Sequence, residues 1–175
     1  AQRGADYICG HINAMQFDDV VNVVLSGSIH TKLPSQKYTD RMAELVATWS
    51  SCYQENRHVG AVIVRDKRII TTGYNGAPSG IESCKDRESC LRRERNIPSG
   101  TCQEICYAVH AEQNAICQAA KLGISVQDAT IYVTHQPCVI CAKMIINSGI
   151  TRVVFKYGYP DDFSLKLFAE AGIKL

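Results

Sequence analysis

HAEQNAICQAAKLGISVQDATIYVTHQPCVICAKMIINSGITRVVFK, residues 110–156, is the stretch from which the fold can be read. It alternates: a helix over about His110–Lys121, a strand over Ala129–Thr134, a helix over Cys138–Ser148 and a strand over Arg152–Lys156. Downstream the alternation continues with a helix over about Asp162–Ala171 and a strand starting at Ile173. Upstream, Val59–Val64 and Ile69–Gly73 are short apolar runs joined by the polar turn Arg65-Asp66-Lys67-Arg68, the pattern of a hairpin. A hairpin followed by α-β-α-β-α-β predicts a mixed sheet with helices on its faces. Before the hairpin, Tyr38, Met42, Leu45, Val46, Trp49 and Tyr53 share one helical stripe, and Phe17, Val20, Val21, Val24 and Leu25 form a shorter one. Ser26–Lys37, with Pro34, reads as a linker. Gly73–Gly80 is a Gly/Pro/Asn-rich loop, and residues 81–109 are polar, cysteine-rich and poor in periodicity.

Composition narrows the function. The 175 residues suffice for one α/β domain, and 46% hydrophobic with 21% charged residues is the balance of a soluble globular chain. A net charge of +2 without a long basic run excludes a dedicated duplex nucleic-acid binder, yet leaves the two or three cations that a nucleotide phosphate needs. No apolar run approaches the ~20 residues of a membrane span, and no signal peptide opens the chain, so a cytoplasmic protein is expected. In that compartment the nine cysteines are thiols, thiolates or metal ligands rather than disulfides.

Three pieces carry chemistry: His110-Ala111-Glu112, Pro137-Cys138 and Cys141, together H-x-E…P-C-x-x-C. A catalytic zinc takes three protein ligands from imidazole nitrogen and thiolate sulfur and keeps one position open. Cys138 and Cys141, at i and i+3, place both sulfurs on one helical face, about 5–6 Å apart at Cβ. Pro137 suits the start of that helix, where its missing N–H is no loss. His110 likewise opens a helix, so two helix N-termini face one ion and favour the anions gathered there. Glu112 lies about 200° around the helix from His110 and is cast as proton carrier rather than ligand. The alternative is a closed structural zinc or core cysteines. A closed site wants a fourth protein ligand, and only three fall in register.

These residues resemble a known family. His110-Ala-Glu-Gln-Asn-Ala-Ile116, Tyr132-Val-Thr-His-Gln-Pro-Cys-Val-Ile-Cys141 and Thr72-Gly-Tyr-Asn-Gly-Ala-Pro78 are similar to the deoxycytidylate (dCMP) deaminases of the cytidine deaminase superfamily, over roughly residues 38–175. The resemblance implies a three-layer α-β-α sandwich around a mixed five-stranded sheet. It also implies catalytic Zn²⁺ at two helix starts and hydrolysis of dCMP to dUMP. A homo-oligomer, a hexamer above all, with dCTP and dTTP as effectors, is implied as well. Asn75 matches an asparagine that contacts the substrate sugar, against the alternative of a turn asparagine in Asn-Gly. Tyr159 matches an aromatic bordering the pyrimidine pocket, against ordinary packing. Gly76, Ala77 and Pro78 would lie near the effector site. His135 is read as a hydrogen-bonded loop histidine.

Cys52, Cys84, Cys90 and Cys106 fall where some similar proteins carry a second, structural zinc, with Cys102 as a fifth candidate and free thiols as the alternative. Cys117 is assigned to the core and Cys9 to no partner. The segment from Cys52 to Val59 is about two residues longer than the resemblance leads one to expect, and places Arg57 and His58 where a phosphate would be met. Residues 1–36 have no counterpart in the simple enzymes and read as an extension or the tail of a preceding domain, with the deaminase domain over 37–175. Two further readings stand beside this one: a deaminase of dCTP or of wider deoxycytidine nucleotides within a larger protein, and a zinc-stabilised nucleotide sensor without turnover. An enzyme acting on polynucleotides would want stacking aromatics and a basic stripe, and only 7% of residues are aromatic.

Overall fold

A computed structural model describes residues 36–52, 58–98 and 101–175. Its elements are α1 (Gln36–Ala47), β1 (Gly60–Arg65), β2 (Arg68–Tyr74), a single-turn α2 (Leu91–Glu94), a 3-10 turn (Gln103–Ile105), α3 (Ala111–Lys121), β3 (Thr130–His135), α4 (Val139–Asn147), β4 (Arg152–Tyr157) and α5 (Asp162–Glu170). The strands lie in the order β2-β1-β3-β4. β1 runs antiparallel to both neighbours, while β3 and β4 are parallel. The β1–β2 hairpin closes because Asp66 and Lys67 take φ of 51° and 65°, positive at both central positions, which matches the twist of the flanking strands. A parallel pair needs a crossover, and α4 supplies it between β3 and β4.

Alternation along the strands sorts the core into two layers. Ala61, Ile63, Ile131, Val133 and Val153 pack with Ala111, Ala115, Ala119, Ala142, Ile145 and Phe168, so α3, α4 and α5 cover one face. Val62, Val64, Tyr132 and Val154 pack with Ala43 and Val46 of α1 on the other. Each fully buried Ile, Val or Phe contributes about 1.5–3 kcal/mol. Two glycines let helices touch strands: a Cβ at Gly60 would overlap the Ala43 carbonyl of α1, and one at Gly73 the Ala111 carbonyl of α3. The second contact matters most, since α3 carries the candidate site.

Several expectations change. The sheet has four strands among the described residues, not five. Beyond Gly172 (φ 70°), the chain makes one parallel bridge, Arg152 to Lys174, supported by the bonds Val153 N to Lys174 O and Lys174 N to Thr151 O. That is too little pairing for a strand. α1 begins at Gln36, inside the expected linker. Its buried face is Thr39, Ala43, Val46 and Ala47, while Trp49 follows the helix, 52% exposed, edge-on to Tyr74 at 6.4 Å. Cys117 is exposed rather than core. The face carrying Ala111, Glu112, Ala115 and Ala119 is the buried one, and position 117 points away from it. The short helix from Phe17 to Leu25, and Cys9, Tyr53 and Arg57, lie outside the described residues. Among the described residues no helix is long and apolar enough to cross a membrane.

Candidate metal centre and active site

The two ligand-bearing helices start side by side. His110 is the N-cap of α3 and Cys138 the N-cap of α4, both in extended conformation (φ −69°, ψ 153° and φ −71°, ψ 168°). An N-cap usually uses its own side chain on the first free N–H groups of its helix. Here distant side chains take the first one instead. Ala111 N donates to Asn75 Oδ1 at 2.8 Å, and Val139 N donates to Asp161 Oδ2 at 2.8 Å. His110 N donates to Gln113 Oε1 at 3.0 Å. Asn75 and Asp161 thereby tie the start of each ligand-bearing helix to a distant part of the chain.

His110 Nδ1 lies 3.6 Å from Cys138 Sγ and 3.4 Å from Cys141 Sγ. Tetrahedral zinc with ordinary Zn–N and Zn–S bonds separates N from S by about 3.6 Å. The three donor atoms all fall within 4.8 Å of one another, Cys138 and Cys141 are buried and His110 is half-buried. Among the described residues this is the group of three or more potential ligands that comes so close. Donor set, spacing and burial fit a zinc ion. The hydrogen bond from Cys141 pulls the Cys138 thiol down to about 4, and that bond, with burial, raises the thiol of Cys141. A metal bound here would displace thiol protons.

Glu112, 4% exposed, sits on the second residue of α3 within hydrogen-bonding reach of Cys141. Burial raises its pKa, against the lowering influence of His110. It is a carboxylate that accepts a proton readily beside the donor cluster.

The other expected residues are more dispersed. Asn75 is buried, its Oδ1 is engaged with α3 as described, and its backbone O accepts from Ser51 N and Ser50 Oγ. It is therefore no hairpin turn residue. Gly76 bridges Val109, the residue before His110. Tyr159 is half-buried, and its N donates to Gln136 Oε1 at 3.2 Å. His135 ends β3 with Nδ1 3.0 Å from Thr134 Oγ1 and its ring 5.1 Å from Tyr157. His58 Nε2 donates to Cys52 O at 3.3 Å. Cys52, Cys84, Cys90 and Cys106 form no second ligand-spaced group among the described residues. Burial first, then the charges of Cys106, Cys84 and Cys90, push the Cys52 thiol up to about 11. Burial, then Cys106 and Cys90, raises Cys84 as well. Sequence reasoning missed Asp161 and Gln136. Asp161 carried a signal as a helix N-cap, but nothing local indicated its bond to Val139.

A buried His-Cys-Cys centre at two helix starts, with an acid beside it, defines a zinc hydrolase of the nucleobase deaminase kind. The chain belongs to the cytidine and deoxycytidylate deaminase family, whose zinc-binding region matches residues 34–157. It is 39% identical to ComE operon protein 2 of Bacillus subtilis over 138 residues, covering 78% of this chain and 67% of that one. It is 40% identical to the deoxycytidylate deaminase of Mycobacterium phage D29, over 65% of this chain and 88% of that protein. The deoxycytidylate deaminase of Saccharomyces cerevisiae is 37% identical over 78% of this chain, which spans only 42% of the yeast protein. In structure, the chain is similar to the dCMP deaminase of cyanophage S-TIM5 in complex with dCMP and dUMP, with a TM-score of 0.65, 28% identity and coverage of 83% and 97%.

Proposed function

We propose that this chain hydrolyses the C4 amine of a cytosine mononucleotide, converting dCMP to dUMP and releasing ammonia. The observation that carries the reading is Glu112, buried at 4% exposure beside three ligand atoms within 4.8 Å of one another. A purely structural ion has no use for such an acid. His110, Cys138 and Cys141 would hold a zinc ion, which would supply Lewis acidity to activate a water. Glu112 accepts a proton from the attacking water, shelters it from solvent and passes it to the ring N3. It then takes the proton of the new C4 hydroxyl and hands it to the amine leaving C4. Water oxygen replaces nitrogen, ammonia departs, and no electron is gained or lost. Desolvation of Glu112 favours its neutral form, which suits a group that must hold a proton between two transfers.

Asn75, packed on the start of α3, and Tyr159, tied to the Cys138 loop, are proposed to contact the substrate sugar and base. The deaminase domain is taken to begin near residue 37. The resemblance carries a second, structural zinc on Cys52, Cys84, Cys90 and Cys106 bracing residues 81–109, although these cysteines form no ligand-spaced group among the described residues. Metal analysis of the native chain should then give about two ions per chain, and one ion would remove the cysteine-cluster reading. The resemblance also carries a hexamer responsive to dCTP and dTTP, which light scattering with and without each nucleotide tests.

The deciding assay follows ammonia release from cytidine, dCMP and dCTP under one set of conditions, with Glu112→Ala as control. dCMP should be turned over fastest, and Glu112→Ala should keep zinc while losing at least ~10²-fold in rate. Zinc lost along with activity would make Glu112 a ligand. No turnover of any of the three compounds by the native chain would favour a nucleotide sensor.

A further inference from the structure

Asp161 divides its carboxylate between two helices. Oδ1 accepts from Ser164 N at 3.0 Å, the ordinary N-cap bond of α5, and Oδ2 accepts from Val139 N at 2.8 Å at the start of α4. The α5 cap needs only one of these oxygens. The second holds the amide that joins Val139 to the zinc ligand Cys138. That peptide is a rigid plane, and its other end is held too, because Cys138 O accepts from Ala142 N at 2.8 Å. With both ends held, ψ of Cys138 is set, and with it the direction of the Cα–Cβ bond that carries the sulfur.

Gln136 extends the same tie. Buried, it donates from N to Tyr157 O at 2.8 Å and from Nε2 to Asp161 O at 2.9 Å, and accepts from Tyr159 N at 3.2 Å. With the bond from Val139, four hydrogen bonds join the loop before α4 to the loop before α5. Nε2 also donates to Ser164 Oγ at 3.2 Å, and Asp161 N donates to Tyr159 O at 2.7 Å, so the second loop is closed on itself as well.

We propose that Asp161 is a positioning residue of the metal centre, holding the Cys138–Val139 peptide so that Cys138 Sγ meets the ion in register with His110 and Cys141. Gln136 is its brace, joining the Cys138 loop to the Tyr159 loop. Partners of this kind, one step beyond the ligands, commonly govern metal affinity by 10–100-fold when removed. The inference rests on zinc binding by His110, Cys138 and Cys141, and its test keeps the two apart.

Two variants of the full chain remove the same bond from opposite ends. Asp161→Ser keeps a competent N-cap for α5 but has a single oxygen and cannot serve Val139 N as well. Val139→Pro deletes the donor, at a first helical position that proline tolerates, and leaves the α5 cap untouched. Zinc affinity is read by competition with a chromophoric chelator, and folding by thermal unfolding of the zinc-loaded proteins. Both variants should unfold cooperatively and bind zinc about 10-fold more weakly. Native zinc affinity in Val139→Pro would overturn the proposal and leave Asp161 as a cap of α5 alone. Should Asp161→Ser fail to fold, Val139→Pro still decides. A native chain that binds no zinc would instead overturn the metal reading beneath it.

Discussion

At the scale of single residues, the site divides into ligands, a proton carrier and the groups that aim them. Cys138→Ala and Cys141→Ala each remove one of three ligands and should yield protein without zinc at this centre, as metal analysis would show. Asn75 can be split into two roles. Asn75→Asp keeps an acceptor for Ala111 N but replaces the amide donor, so thermal stability should hold while KM for dCMP rises. Asn75→Ala loses the acceptor too and should cost a further ~1 kcal/mol of stability, measured by urea unfolding. If Asn75→Asp lowers stability without moving KM, the residue serves α3 and not the substrate. His110, Glu112, Cys138 and Cys141 were legible because H-x-E and P-C-x-x-C are two short motifs, each compact at one helix start, even though 28 positions separate His110 from Cys138. Asp161 and Gln136 were not, because the Val139–Asp161 and Gln136–Asp161 bonds span 22 and 25 positions and belong to no motif.

At the scale of elements, the chemistry depends on how closely α3 lies on β2. Gly73 has room for no Cβ against the backbone of Ala111 and Ala115. Gly73→Ala should therefore push α3 outward, costing about 1–3 kcal/mol in urea unfolding. The same shift would move His110 and Glu112 away from the α4 sulfurs, so weaker zinc retention should accompany the lost stability. Unchanged stability would mean that α3 is not seated on Gly73. Apart from the strand expected at Ile173, helices and strands from residue 110 onward agree with the periodicity to within a residue or two at their ends. The errors came where a side chain's surroundings decided the matter. Trp49 continued a stripe that the helix itself did not follow, because α1 ends at Ala47. Cys117 falls on the face of α3 away from Glu112, and packing on the sheet makes the Glu112 face the interior, so Cys117 is exposed rather than core.

At the scale of the whole molecule, metal and fold are linked. Three ligands come from the starts of two helices that pack on one sheet face, so an ion held between them ties α3 to α4. Removing zinc with a strong chelator should lower the unfolding temperature, and re-addition should restore it. Acid should act in the same direction: His110 and the two thiolates must be deprotonated to bind, so zinc is held at neutral pH and released as pH falls. An unfolding temperature indifferent to chelator would place the ion outside the structural framework. The match to the family begins at residue 34, and a chain starting at Pro34 is expected to keep both zinc and turnover.

Local order in the amino-acid string determined the succession of helices and strands, the mixed character of the sheet and which residues stand as candidate ligands and proton carrier. The elements follow from spacing within one helix, one strand or one turn, and the candidate site from a motif whose halves lie at the starts of two helices. The tertiary structure alone decided that the sheet pairs four strands, which helix face is interior, and that Asn75 and Asp161 occupy the first amides of the two ligand helices. Those outcomes are set by which distant groups arrive at a hydrogen-bond or packing position, and chain order does not encode that distance in any local period.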